Sequence, residues 1–169
     1  MVEKQGLEFY RILEAMKDDY PRARHFARAG LAAGPCLFKD TMQLSAFHNN
    51  EFFLGHSAML VNEGLPNFLV SQLEAKMGPL KGKKVGIMGL AFKADNDDIR
   101  ESLSFKVKKL LEMKMAEVLV TDEFVPGTMP LRKFLKEADG VILGVPHSAY
   151  RKLKVKKPYV DCWGAWRHG

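Results

Sequence analysis

The sequence predicts an α/β fold in which a helical segment is followed by a Rossmann-like, doubly wound parallel sheet. Three short apolar runs have the length and composition of buried strands. They cover residues 84–90, 118–122 and 140–145. Helical patterns, one beginning near residue 102 and one over residues 131–137, separate these runs, and this alternation is typical of a parallel sheet. Residues 158–161 could add a fourth strand.

The N-terminal half of the chain carries helical periodicity instead. Helices are predicted at residues 8–16, at about residues 40–47 and over residues 53–77. Pro66 lies inside the long third helix and should kink it, because proline removes a backbone hydrogen bond. Apolar residues close to every fourth position form one stripe along it: Ala58, Val61, Leu65, Leu69 and Leu73. Either a partner, in a dimer, or the first helix would cover this stripe.

Residues 78–84 are rich in turn-forming and basic residues and make the best boundary between two domains. We therefore expect a helical central or dimerisation domain at residues 1–80. The Rossmann-like domain is expected at residues 81–169.

Composition narrows the function classes. The chain has 169 residues, of which 47% are hydrophobic and 27% charged, as in ordinary globular proteins. Its net charge is +6, but the basic clusters are short and carry no nucleic-acid-binding signature, so small phosphorylated ligands fit better than a polymer. No apolar run could cross a membrane, and the charged N-terminus lacks a signal-peptide pattern. With only two cysteines, we expect a cytoplasmic protein without a disulfide framework.

A cysteine motif lies just before the second predicted helix. Gly34 and Pro35 form a flexible turn before Cys36, and Lys39 and Asp40 follow within four positions. The thiolate is the nucleophilic form of cysteine, and a nearby cation or helix N-terminus favours it. A buried structural cysteine is the alternative that the local sequence leaves open.

Charged residues follow the first strand, at the sheet edge where open parallel sheets bind ligands. Lys93 and Arg100 could neutralise phosphates there, with the N-terminus of the helix near Ser102 adding partial positive charge. They could equally pair with the carboxylates of the same loop, Asp95, Asp97 and Asp98.

The dinucleotide fingerprint Gly-x-Gly-x-x-Gly is absent from this edge. Gly86 lies within the first strand and Gly89 at its end, and the residues that follow are bulky. His147 and Tyr150 follow the third strand, and each is interpreted as a packing or capping residue.

Two motifs together resemble the UDP-glucose/GDP-mannose dehydrogenase family. Residues 34–40 match that family's Gly-x-Cys-x-x-Lys-Asp signature, and residues 89–102 are similar to the opening of its C-terminal UDP-binding domain. Other fragments occur in the family's order: Asn62-Glu63, His147-x-x-Tyr150 and Val160-Asp161-x-Trp163-Gly164. The resemblance extends over nearly the whole chain.

The resemblance implies the central and C-terminal domains of an NAD-dependent UDP-sugar 6-dehydrogenase, without its N-terminal NAD-binding domain. It implies oxidation of the sugar C6 alcohol to a uronate through a thiohemiacetal and a thioester on Cys36. Asp40 would orient a water or base, and Lys39 would hold the thiolate or an oxyanion. The implied ligand contacts are Gly34, Phe92 and Lys93 for the sugar nucleotide and Arg100 for NAD.

The implied partners are a UDP-sugar, a second copy of the chain through the helical segment, and a separate NAD-binding half; no metal is implied. We expect the chain to be inactive without that half. A non-catalytic sugar-nucleotide-binding or dimerisation module is one alternative. A cysteine acyl-transfer enzyme that uses Cys36 without NAD is another. The presence of Cys36, Lys39 and Asp40 together favours the dehydrogenase.

Overall fold

The computed structural model describes residues 2–166, which contain five α-helices and four β-strands. In chain order these are α1 (Phe9–Lys17), α2 (Leu37–Phe47), α3 (Phe53–Met77), β1 (Lys84–Met88), α4 (Leu103–Met113), β2 (Glu117–Thr121), α5 (Leu131–Glu137), β3 (Gly140–Leu143) and β4 (Tyr159–Val160). Short 3-10 helices lie at Glu3–Gln5, Pro21–Ala23 and Ser148–Tyr150. The predicted α/β fold and the possible fourth strand are confirmed.

The strands form one parallel sheet in the order β2-β1-β3-β4. Val85 of β1 lies opposite Val118 on one side and Gly140 on the other. The chain therefore leaves β1 in one direction to reach β2 and crosses back to form β3, as the doubly wound prediction requires. The direction in which successive strands are added to the sheet reverses between β1 and β3. Ligands of such sheets bind at this point, beyond the carboxyl ends of the strands.

Helices cover both faces of the sheet. Successive side chains of a strand point to opposite faces, so the strands contribute to a buried cluster on each face. Val85, Ile87 and Ile142 are buried in a cluster with α3 and α4. Met88 and Leu143 are buried in a second cluster with α5 on the other face.

The long helix α3 changes its environment along its length. Leu69 and Leu73 are fully buried against the sheet, whereas Val61 is 74% exposed and Leu54 is 81% exposed. α3 packs mainly against α2, α4 and the strands β3 and β4, so α1 is not its chief cover. The apolar stripe is thus covered at its C-terminal end only. The chain continues as a helix on both sides of Pro66.

Three predicted boundaries are wrong by a few residues. β1 ends at Met88 rather than at residue 90, because the amide of Leu90 donates to the carboxylate of Asp122 instead of to a neighbouring strand. α2 begins at Leu37 rather than near Asp40, because the amide of Asp40 already donates to the carbonyl of Cys36 at 2.8 Å. β3 ends at Leu143, because the amides of Gly144 and Val145 both turn to the carbonyl of Met88. No helix among residues 2–166 is both long enough and apolar enough to cross a membrane.

Candidate functional site

The cysteine loop lies directly against the loop that follows β1. Gly34 is buried and has a φ of +130°, a backbone conformation that residues other than glycine rarely adopt. A Cβ at position 34 would lie 3.2 Å from Cδ2 of Phe92. The two motifs, which lie about fifty positions apart in the sequence, are therefore in contact.

The segment before Cys36 is held by side chains from distant parts of the chain. Asn62 of α3 accepts a hydrogen bond from the amide of Ala32 at 3.1 Å and donates one to its carbonyl at 2.6 Å. The indole of Trp163 packs so closely on Gly30 that a Cβ there would clash with it. These contacts determine where the cysteine loop meets the sheet domain. The sequence indicates Asn62 and Trp163 only through the family resemblance.

Cys36 is exposed and occupies the N-cap position of α2. Its sulfur therefore lies at the N-terminus of an 11-residue helix, where backbone amides stabilise negative charge. The other cysteine, Cys162, is different: burial raises the pKa of its thiol to about 12. Of the two cysteines, only Cys36 has the exposure that a nucleophile needs.

Lys39 and Asp40 pair with each other. Lys39 Nζ lies 3.3 Å from Asp40 Oδ1, and both side chains are about 60% exposed. Within residues 2–166 neither side chain is hydrogen-bonded to the sulfur of Cys36. Their predicted roles beside Cys36 stay predictions.

A cleft of about 500 Å³ opens beside the cysteine loop. Its walls come from both halves of the chain: the loop and start of α2, the middle of α3 and the first turns of α4. Lys106 in one wall donates to the carbonyl of Glu63 at 2.7 Å and lies 3.3 Å from its carboxylate. Ser102 caps α4 by accepting a hydrogen bond from the amide of Ser104 at 3.3 Å, as predicted.

Arg100 pairs with Asp98 through three hydrogen bonds of 2.7–3.1 Å. The pairing lowers the pKa of Asp98 to about 2 and raises that of Arg100. Arg100 also lies near enough to Cys36 for an electrostatic interaction between the two side chains. Lys93 is exposed, with Nζ 5.3 Å from the centre of the Phe92 ring. Of the two predicted alternatives, Arg100 adopts the pairing with a loop carboxylate.

Asp122 and His147 form a buried polar pair behind the loop that follows β1. Nε2 of His147 lies 3.1 Å from Asp122 Oδ2, and both side chains are inaccessible to solvent. Burial raises the pKa of Asp122, but hydrogen bonds from His147 and from the amides of Leu90 and Phe124 outweigh it and lower that pKa to about 2. The interpretation of His147 as a packing or capping residue missed this pair. Both residues follow strands of the sheet, and that signal could have found them.

The sequence of the C-terminal half matches a known family. Residues 86–168 match the UDP-binding domain model of the UDP-glucose/GDP-mannose dehydrogenase family. Residues 86–168 are a UDP-binding domain of the UDP-glucose/GDP-mannose dehydrogenase family. The resemblance inferred from the two motifs is confirmed.

Relatives in this family align over most of the chain. The UDP-N-acetyl-D-mannosamine dehydrogenase of Pyrococcus horikoshii is 26% identical over 90% of this chain and 38% of its own length. The enzyme of the same name from Yersinia pestis is 27% identical over 98% of this chain and 44% of its own. A solved structure of a UDP-glucose dehydrogenase from Pyrobaculum islandicum superposes with a TM-score of 0.77 at 30% identity, covering 95% of this chain and 44% of that one. The chain thus spans less than half the length of these dehydrogenases.

Dehydrogenases of this family use NAD, but the described residues form no NAD phosphate loop. A Cβ on Gly86 would clash with the ring of Phe134, and one on Gly89 would lie 2.5 Å from Cβ of Val145. Both glycines therefore serve close packing within the domain rather than the approach of a pyrophosphate. Among residues 2–166, Arg100 is the group that the resemblance assigns to NAD.

Proposed function

We propose that this chain is the C-terminal portion of an NAD-dependent UDP-sugar 6-dehydrogenase. Residues 1–80 would be its central, dimerising domain and residues 81–169 its UDP-sugar-binding domain. The observation that carries the proposal is the contact between Gly34 and Phe92, which joins the cysteine loop to the sheet edge. A cysteine that served structure alone would not need to be exposed at this junction.

The sugar nucleotide would bind at the junction of the two motifs. The exposed ammonium of Lys93 would pair with phosphate, and the half-buried ring of Phe92 offers an apolar surface for the sugar or base. Gly34 lines the cleft, where its backbone would contact the ligand, and its lack of a side chain leaves room for the ring of Phe92. The N-terminus of α4 forms part of the cleft wall and adds partial positive charge there.

Cys36 would act on the aldehyde formed when the C6 alcohol loses a hydride and a proton. Its sulfur would bond to the aldehyde carbon and the oxygen would take a proton, which gives a thiohemiacetal. Loss of a second hydride and the hydroxyl proton converts this adduct to a thioester. Water then adds to the thioester carbon, the carbon–sulfur bond breaks, and the products are the uronate and the free thiol.

Asp40 and Lys39 would assist Cys36 in different steps. Asp40 lies one helical turn from Cys36, so its exposed carboxylate could orient the water that hydrolyses the thioester. Lys39, paired with Asp40, would offer positive charge to the thiolate or to the oxyanion that forms as water adds.

Two molecules of NAD, bound one after the other, would each accept one of the two hydrides. Arg100 is the residue of this chain that would face the bound NAD. Its bonds to Asp98 use Nε and Nη2, so Nη1 remains available for an anionic ligand. The rest of an NAD site would lie in a separate domain, because the described residues provide no phosphate loop.

A second copy of the chain would cover the exposed end of the helical domain. Large apolar side chains on the neighbouring ends of α2 and α3 are mostly exposed: Phe47, Phe53, Leu54, Leu60 and Val61. Isolated exposed apolar residues are normal, but a group of them on two packed helices is typical of an interface. A homodimer through this surface is therefore part of the proposal.

A non-catalytic sugar-nucleotide-binding or dimerisation module is the second candidate. It is favoured by the absence of an NAD phosphate loop among residues 2–166. Such a module would bind UDP and would not oxidise a sugar. The exposed cysteine argues against it, because a binding module has no use for a nucleophile.

The test is NADH release from the chain with NAD and either UDP-glucose or UDP-N-acetylmannosamine. The assay is run with and without an NAD-binding domain supplied as a separate polypeptide. We expect NADH only with that domain, and expect Cys36→Ser to abolish the formation of uronate while Cys162→Ser leaves it unchanged. UDP binding without NADH under any condition would support the module instead. If Cys36→Ser left the formation of NADH and of uronate unchanged, the proposed chemistry would be overturned.

A further inference from the structure

We propose that His147 is a positioning residue for the substrate loop: with Asp122 and Asp95 it fixes the backbone that presents Phe92 and Lys93. The proposal rests on the proposed function, because those two side chains are its substrate contacts. His147 and Asp122 are buried behind the loop, outside the cleft wall, and act through backbone groups.

Asp122 holds the beginning of the loop. Its Oδ2 accepts hydrogen bonds from the amides of Leu90 at 2.6 Å and Ala91 at 3.2 Å. Its Oδ1 accepts from the amide of Phe124 at 2.8 Å, which ties the carboxylate to its own strand end. A buried carboxylate that lost a donor would be left with unsatisfied charge, so this arrangement is costly to disturb.

His147 holds the end of the same loop. Its Nδ1 accepts a hydrogen bond from the amide of Asp95 at 2.9 Å, so this nitrogen carries no proton in the bond. The ring proton therefore lies on Nε2, which donates to Asp122 Oδ2 at 3.1 Å. One imidazole thus connects the anchor at the start of the loop to the anchor at its end.

The carboxylate of Asp95 closes the arrangement. It accepts hydrogen bonds from the amide of Ser148 at 2.8 Å and from its hydroxyl at 2.6 Å. The residue next to His147 in the chain therefore holds the same loop end a second time. The backbone of Asp95 has a φ of +54°, which such fixed contacts help to maintain.

Phe92 and Lys93 lie between these two anchors. The amide of Phe92 donates to the carbonyl of Asp98 at 2.9 Å, and Ser102 Oγ donates to the carbonyl of Ala91 at 3.1 Å. The backbone is therefore fixed on both sides while the side chain of Lys93 stays exposed. A shift of the loop would move the Lys93 ammonium and would move Phe92 away from Gly34.

The test separates the two nitrogens of the imidazole. In His147→Asn the amide oxygen can replace Nδ1 as acceptor for the Asp95 amide, whereas in His147→Gln the amide nitrogen can replace Nε2 as donor to Asp122. Ser148→Ala removes one bond to Asp95 at an exposed position and serves as a variant that should fold. Tyr150→Phe is the matched control, because it alters a ring packed on His147 without removing a bond to either carboxylate.

Two measurements are made on the full chain: UDP affinity by titration calorimetry and hydrogen exchange of the amides of residues 90–95 in the free protein. We expect His147→Gln to weaken UDP binding about tenfold or more and to speed exchange of the Asp95 amide. His147→Asn should restore part of the UDP affinity and part of the protection of the Asp95 amide. Ser148→Ala should give values of both between those of His147→Gln and the wild type, and Tyr150→Phe should match the wild type in both. If His147 served stability alone, both histidine variants would have a lower melting temperature, but the UDP affinities of the variants would not follow this order.

The outcomes distinguish this proposal from the proposed function. If the wild-type chain binds UDP and both His147→Gln and Ser148→Ala bind it equally well, the positioning role is overturned while the proposed function stands. If the wild-type chain does not bind UDP, the proposed function is overturned and the positioning role with it. Should His147→Gln fail to fold, the decision rests on Ser148→Ala and His147→Asn.

Discussion

The ring of Phe92 lies against the backbone of Gly34, so closely that a methyl group at position 34 would be 3.2 Å from it. Phe92 comes from the loop after the first strand, and Gly34 lies two residues before the exposed Cys36. This contact puts the exposed thiol of Cys36 near the carboxyl edge of a parallel sheet, where such sheets bind ligands. The assignment of a catalytic role to the junction depends on it.

Replacement of Gly34 by alanine should damage this junction. Its φ of +130° and the short distance to Phe92 both oppose a side chain, so we expect Gly34→Ala to lower the free energy of unfolding by about 1–3 kcal/mol. UDP affinity should fall as Phe92 is displaced. Denaturant unfolding and calorimetry measure the two effects.

Gly64→Ala is the matched control for that variant. Gly64 lies inside α3, and a Cβ there would meet no atom within 4 Å. Alanine should stabilise the helix by up to about 1 kcal/mol and leave UDP affinity unchanged. Equal effects of the two substitutions on UDP affinity would show that the contact between Gly34 and Phe92 is irrelevant to binding.

The two cysteines should differ sharply in reactivity. Cys36 is exposed, whereas burial raises the pKa of Cys162 to about 12 and leaves it as a thiol at neutral pH. Iodoacetamide at about pH 8 should therefore modify Cys36 much faster than Cys162 in the folded chain. Peptide mass spectrometry gives both rates, and faster modification of Cys162 would contradict the structure.

Asp122 should contribute to stability in a defined range of pH. Its pKa is lowered to about 2 in the folded chain, below the value of about 3.9 expected when unfolded. Its contribution, about 2 kcal/mol, is therefore complete above about pH 4 and is lost as the pH falls towards 2. Asp122→Asn should flatten the dependence of the free energy of unfolding on pH in this range. A slope that is unchanged in the variant would contradict the hydrogen-bonded carboxylate.

The exposed apolar end of α2 and α3 should mediate self-association. We expect wild-type chains to sediment as dimers, and expect glutamate at both Leu54 and Val61, which are 81% and 74% exposed, to give monomers that remain folded. Asn67→Glu, at an exposed position of the same helix, is the control and should leave the dimer intact. A wild-type monomer at all accessible concentrations would contradict this interface.

Local patterns predicted the elements well, because their signals lie within short windows of sequence. The long helix has the predicted bounds, and the hydroxyl of Ser102 caps α4 as expected. The predicted start of α2, near Asp40, is three residues late, because no strong capping residue precedes Leu37. Cys36 occupies the N-cap position without a side-chain hydrogen bond.

The contacts that assemble the site could not be predicted in the same way, because they join residues distant in sequence. Asn62 could be assigned to the long helix but not to the backbone of Ala32, which it binds across 30 positions. Similarly, the sequence puts Asp122 and His147 after separate strands. Only the strand order, with β1 between β2 and β3, brings both behind the same loop.

The most direct test of the account is the mass of the Cys36 peptide after acid quenching of the reaction. The chain carries Asp40→Asn and is mixed with a UDP-sugar, NAD and a separate NAD-binding domain. Because Asp40 is proposed to orient the hydrolytic water, we expect a uronoyl thioester to accumulate on Cys36, with none on Cys162. NADH formation with an unmodified Cys36 peptide, in this variant and in the wild type, would contradict the account.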